Sequence, residues 1–148
     1  MAEKQLKVGI IGAGLYATAV HIPQLLQTGE VEVVALCRRD KKRLAMIQEK
    51  FQIAEAHTDW QEMLDQAALD AVVVSTPHHL HTQPTLAALQ RGLHVLLEKP
   101  MALRAEEATA MLALRALVAK VFHSAVFERS CGRNRIRFSN SASRAAFW

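Results

Sequence analysis

Three features of the sequence predict an α/β domain built on a parallel sheet with helices on both faces. Short β-branched apolar runs alternate with helical patterns over roughly the first 117 residues. Those runs are apolar almost throughout, as strands buried on both faces require, instead of alternating polar and apolar. The length, 148 residues, accommodates one such domain, which can bury most of its apolar surface without disulfides or a structural metal.

Leu6–Ile11 reads as the first strand, an apolar run ending at a glycine-rich turn, and Leu15–Gln27 as the helix after it, interrupted at His21-Ile22-Pro23. Val31–Cys37 is a valine-rich second strand, followed by a charged helix over Asp40–Lys50. A weaker strand is expected over Ala54–His57, and Asp59 can cap a short helix holding Trp60, Met63 and Leu64. Ala71–Ser75 is a third strong strand; the helix over Thr82–Arg91 stops at Gly92, a natural residue just past a helix end. His94–Leu97 is a fourth, and Ala105–Leu117 a helix of good formers. Right-handed crossovers would bring the loops after these strands to one edge of the sheet, where such folds bind ligands.

The net charge of +4 is concentrated at one end. Residues 121–148 carry Arg129, Arg133, Arg135, Arg137 and Arg144 against Glu128, leaving thirteen basic and thirteen acidic residues in the first 120. Arginines without an aromatic platform give only salt-sensitive, unspecific affinity, so a nucleic-acid partner is not expected. No apolar run reaches the roughly 18–20 residues that span a bilayer, and the N-terminus lacks a signal core. Two cysteines, Cys37 and Cys131, make neither a disulfide framework nor a metal spacing, so a cytoplasmic location is the default.

The strongest local signal is Gly9-Ile10-Ile11-Gly12-Ala13-Gly14-Leu15-Tyr16-Ala17. Gly12, Gly14 and Ala17 fit the G-x-G-x-x-[G/A] fingerprint of a Rossmann-type, doubly wound sheet, placed where a strand turns into a helix. Gly12 permits the tight turn, Gly14 lets a pyrophosphate approach the backbone, and the helix N-terminus supplies N–H donors. Gly12, Ala13, Gly14, Leu15 and Tyr16 are therefore candidate cofactor contacts. About 20 residues further on, an NAD site places an acid on the ribose. Here Arg38 stands at that position with Arg39 beside it, which favours NADP over NAD, since a guanidinium attracts a 2′-phosphate. Two other readings remain open. Arg38 and Arg39 can be solvated with Asp40 as a helix cap, or a shifted register can bring Asp40 to the ribose.

Two further segments are Ser75-Thr76-Pro77-His78-His79-Leu80-His81, after the third strong strand, and Glu98-Lys99-Pro100, after the fourth. Together with the glycine turn, with Asp70-Ala71-Val72-Val73-Val74 and with Ala88-Leu89-Gln90-Arg91-Gly92-Leu93-His94-Val95, they resemble the Gfo/Idh/MocA family. That family is named for glucose-fructose oxidoreductase and inositol dehydrogenase, and the resemblance runs from about Lys7 to Leu114. It implies an NAD(P)-dependent oxidoreductase acting on a small sugar, cyclitol or related hydroxyl or carbonyl substrate. Lys99 matches the lysine of the family's E-K-P motif, implied to be the catalytic group beside the nicotinamide. Glu98 is implied as a cofactor-ribose contact, and Pro100 as the fixed point of the turn, in position to follow a cis peptide. Ser75, Thr76, Pro77 and His81 are implied to line the cofactor groove.

His78, His79 and His81 crowd one loop without a carboxylate or cysteine at ligand spacing, so no metal is expected. His21 is assigned either to packing of the first helix or to the cofactor groove, and His57 and His94 to structure. Full-length members of the family are more than twice as long, with a second α+β domain that completes the substrate pocket and, by implication, homo-oligomer contacts. That domain is not found in this sequence. The expected organisation is a dinucleotide-binding domain over residues 1–120 and a basic, Arg/Ser-rich tail over 121–148, with one further strand over Val121–Phe127 and disorder beyond. The tail's abrupt change of composition fits a truncated or frame-shifted reading frame. The alternative to an enzyme is a non-catalytic dinucleotide-binding module or an inactive truncated product.

Overall fold

The computed structural model describes residues 5–118 and 122–124. Six strands form one parallel sheet: β1 (Leu6–Ile11), β2 (Val31–Cys37), β3 (Glu55–His57), β4 (Ala71–Val74), β5 (His94–Leu97) and β6 (Phe122–Ser124), in the order β3-β2-β1-β4-β5-β6. The chain winds outward from β1 through β2 to β3, then returns to the other side of β1 with β4. The connections from β1 and β4 therefore diverge, and their C-terminal ends leave a crevice, the switch point at which open α/β sheets bind ligands.

Strand pleating sorts the apolar residues onto two faces. Val8, Ile10, Val73 and Leu96 point to one face, under Ile22 and Leu25 of α1 (Ile22–Gln27) and Leu44 of α2 (Lys41–Phe51). Ile11, Val72, Val74, Val95 and Leu97 point to the other. There they meet Met63 and Leu64 of α3 (Trp60–Gln66), Ala88 and Leu89 of α4 (Thr82–Gln90), and Met111 of α5 (Ala105–Val118). Both faces are covered, which explains why the strand sequences do not alternate. The fold is the doubly wound Rossmann type that the sequence predicts.

Local signals operate where expected. Asp40 caps α2, its carboxylate accepting from the Arg43 amide at 3.1 Å. Asp59 caps α3, accepting from the Gln61 amide at 2.6 Å. The weak strand is β3, three residues long; of the strand expected over Val121–Phe127, residues 122–124 are described and form β6, while residue 121 and residues 125–148, the bulk of the expected tail, lie outside the described residues.

The first helix differs from expectation. Between the glycine turn and α1 the chain makes a π-helical turn over Ala17–His21, closed by the Ile22 amide donating to the Ala17 carbonyl five residues back. Pro23, at the start of α1, has no N–H to continue an ordinary ladder, and the wider turn accommodates it. No helix among the described residues is long and apolar enough to cross a membrane.

Candidate cofactor site

The loops after β1, β4 and β5 enclose an open groove of about 620 Å³. Its lining is Gly14, Leu15 and Tyr16 from the first loop, Ser75, Thr76, Pro77 and His78 from the second, and Glu98 and Lys99 from the third. Eight of these nine are residues the sequence marks as candidate cofactor contacts; His78 is the addition.

The glycine turn is shaped by its neighbours. The amides of Gly12 and Ala13 both donate to the Cys37 carbonyl at 3.0 Å, tying the turn to the end of β2. Gly12 has φ +90°, and a Cβ there would lie 2.6 Å from the Ser75 carbonyl oxygen. Glycine is thus required at this position by the backbone of the loop after β4, before any ligand is considered. Gly14 is the opposite case: the nearest atom to an added Cβ is the Gly12 oxygen at 3.8 Å, so the missing side chain opens onto the groove. Ala17 is fully buried and lets the turn of helix approach the sheet.

Other expected contacts sit beside or beneath the groove. Ala13 is buried; its carbonyl accepts from Arg38 Nη1 at 2.7 Å, so Arg38 braces the turn while remaining half-buried at the end of β2. Arg38 Nε is buried with no partner among the described residues. Arg39 is exposed, and Pro100, joined to Lys99 by a cis peptide, is exposed beyond the groove's edge.

His81 corrects the expectation that it lines the groove. It is fully buried at the start of α4, its ring nitrogens 2.9 Å from the Pro100 carbonyl oxygen and 2.8 Å from that of Thr76. The imidazole joins the second and third loops from below, because the short 3₁₀ turn His78–Leu80 carries the chain down into α4 before residue 81. His79 is exposed on that turn, and His78 packs edge-on against His81.

The third loop follows β5, with the Glu98 amide donating to the Val74 carbonyl at 2.9 Å. Glu98 Oε1 lies 2.6 Å from His21 Nε2, a contact across 77 residues that no local sequence signal announces. Tyr16 packs its ring edge-on against His21, centroids 5.1 Å apart, and its hydroxyl is pushed above the usual tyrosine range by burial and then by the Glu98 charge. Lys99 is exposed, its ammonium without an ion-pair partner among the described residues. Outside the groove, a second depression of about 420 Å³ lies over α2, β3 and α3, with His57 on its wall. His57 Nε2 sits 3.3 Å from a Glu55 oxygen, in keeping with a structural role.

A dinucleotide fits these residues. The Gly14 position leaves space where a phosphate would approach, the Thr76 hydroxyl is buried without a partner among the described residues, and Arg38 Nε is likewise unsatisfied near the turn.

Fold and groove together define a dinucleotide-binding domain of the Rossmann class. More particularly, the chain belongs to the Gfo/Idh/MocA oxidoreductases: the family described as "Oxidoreductase family, NAD-binding Rossmann fold" matches residues 6–125. Among curated relatives, it is 37% identical to D-glucoside 3-dehydrogenase of Escherichia coli (strain K12) over 111 residues, covering 75% of this chain and 32% of that protein. It is 35% identical to the NADP(+) scyllo-inositol 2-dehydrogenase of Bacillus subtilis (strain 168) over 102 residues, covering 69% and 28%. Among solved structures, scyllo-inositol dehydrogenase from Lactobacillus casei with bound NAD(H) and scyllo-inositol superposes with a TM-score of 0.76 at 26% identity, covering 82% and 36%. The chain spans about a third of the length of the curated relatives it matches.

Proposed function

We propose that this chain is the cofactor-binding part of an NADP-preferring oxidoreductase that moves hydride between the nicotinamide and a hydroxyl or carbonyl carbon of a sugar or cyclitol. The observation that carries the reading is the convergence of the open Gly14 turn and the Glu98–Lys99 loop on one groove. The E. coli and B. subtilis relatives, a glucoside and an inositol dehydrogenase by name, supply the substrate class.

When bound, the nicotinamide supplies the hydride donor or acceptor. The protein's part begins with binding. Helix-start amides would receive the pyrophosphate in the space that Gly14 leaves open, and Glu98 would accept from a ribose hydroxyl. Lys99, on the rim, donates a hydrogen bond to the reacting oxygen and assists proton transfer at Nζ. Such chemistry also needs a pocket that positions the substrate and excludes water. Among the described residues the groove is open, so cofactor binding by this chain is expected to be strong relative to its turnover.

The preference for NADP is supported by Arg38 at the end of β2, with its unsatisfied Nε, and by exposed Arg39. Asp40, the one carboxylate close by in sequence, is engaged in capping α2, which favours its reading as a cap over a ribose contact. Cytoplasmic placement belongs to the same proposal and is supported by Cys37, a buried free thiol suited to a reducing compartment.

Titration of the protein with NADPH and NADH, followed by calorimetry, tests the reading. NADPH should bind more tightly, and Arg38→Asp should reverse the order by adding a charge that repels the 2′-phosphate. Equal affinities would remove the NADP preference; binding of neither cofactor would overturn the proposal as a whole.

A further inference from the structure

His21 is 3% exposed, on a π turn beneath the groove, at a position that packing alone would fill with an apolar side chain. Only one of its nitrogens is used. Nε2 meets Glu98 Oε1 at 2.6 Å, whereas Nδ1 is buried with no partner among the described residues. The hydrogen bond to a carboxylate is favourable, but a buried unpaired polar atom costs a comparable amount, so fold stability does not account for a histidine here. A leucine would occupy similar space without the orphan.

What the imidazole does is fix Glu98. The Glu98 backbone is already held by its bond to Val74, and its Oε2 accepts a long bond from the adjacent Lys99 amide at 3.3 Å. The short contact at Oε1 with His21 is therefore what sets the carboxylate's orientation from outside its own loop. With the carboxylate ionised it can only accept, and the donor of this bond is then Nε2. The ring is held in turn by Tyr16, edge-on at an interplanar angle of 82°, and Tyr16 and Glu98 both line the groove. Tyr16, His21 and Glu98 thus form a strut from the glycine turn to the loop carrying Lys99. The π turn sets where His21 falls on its helix, and such turns are common at functional sites.

We propose that His21 is a positioning residue, which holds the Glu98 carboxylate at the groove's rim as a preset acceptor for a sugar hydroxyl of the bound dinucleotide. The inference rests on reading the groove as a dinucleotide site. Preorganising one charged hydrogen bond is worth about tenfold in affinity.

The test is a double-mutant cycle in the full chain, reading NADPH affinity by calorimetry and stability by thermal unfolding. His21→Leu should weaken NADPH binding about tenfold while leaving the unfolding temperature unchanged or higher. His21→Gln, which keeps a donor, should recover part of the affinity. In a Glu98→Gln background, His21→Leu should cause little further loss. Should His21→Leu fail to fold, His21→Asn, too short to reach Glu98, replaces it in the cycle. Unchanged affinity in the position-21 variant, or losses that simply add to those of Glu98→Gln, would overturn the role. A wild-type protein that binds neither NADPH nor NADH would overturn the dinucleotide reading too. Binding that Gly14→Val abolishes but position 21 does not affect would sink this inference alone.

Discussion

Replacing Gly12 with alanine brings two costs together. The residue's φ of +90° is a conformation that side chains disfavour, by about 1–2 kcal/mol for a left-handed residue. The added Cβ would also lie 2.6 Å from the Ser75 oxygen and 2.7 Å from both Ser75 C and Thr76 N. To reach ordinary contact the loop after β4 must retreat by about 0.8 Å. It is not free to do so: the Ser75 amide donates to the Ile11 carbonyl at 2.8 Å, and the Thr76 carbonyl is 2.8 Å from His81 Nε2. Overpacking of this kind adds about 1–3 kcal/mol, for a total of about 2–5 kcal/mol. Thermal unfolding should accordingly fall by on the order of 10 °C or more. Two other glycines separate the terms. Gly29→Ala has the strained φ, +71°, but nothing within 4 Å, so it should lose about 1–2 kcal/mol. Gly14→Ala has neither problem and should stay within about 0.5 kcal/mol of wild type while weakening cofactor binding. Circular dichroism melts of the three variants would refute the reasoning if Gly12→Ala melted with Gly29→Ala, or if Gly14→Ala fell as far.

Other consequences concern Cys37 and Lys99. The Cys37 thiol is pushed up to about 12 by burial and then by the Asp59 charge, with Arg39 partly offsetting and Glu62 adding to the rise. Because the folded state holds this proton where the unfolded chain has lost it, stability should fall as pH rises above about 9, by at most about 1.4 kcal/mol per pH unit. Denaturant melts at pH 8, 9 and 10 should show this loss, and Cys37→Ala should flatten it; an equal slope in the variant would assign the loss elsewhere. Lys99→Ala should leave NADPH affinity nearly unchanged and lower any turnover by about 10²–10⁴-fold, whereas turnover at the wild-type rate would remove Lys99 from the mechanism.

Most of the sheet and much of the groove were legible in the sequence because their signals are local. Val72, Val73 and Val74 announce a strand buried on both faces; Gly12 and Gly14 announce a turn; Asp40 and Asp59 announce helix starts. What stayed hidden depends on contacts between distant segments. His21 meets Glu98 only after β1 and β5 are brought to the same edge of the sheet. The sequence places His81 in the correct loop but does not reveal that the 3₁₀ turn lowers it beneath the groove and leaves His78 on the wall. The sequence shows only the charge of Arg38, and its brace to the Ala13 carbonyl appears only when β1 and β2 lie side by side. The π turn escaped for a subtler reason: Pro23 warns of a break, yet tight and wide turns satisfy that warning equally well.

The central claim is that one groove, formed by the loops after β1, β4 and β5, receives the dinucleotide. Hydrogen–deuterium exchange with and without saturating NADPH tests it most directly. The account predicts slowed exchange in peptides covering residues 12–16, 75–78 and 98–99, with little change over 41–66 around the second depression. Protection confined to residues 41–66, or none anywhere despite measured binding, would contradict it.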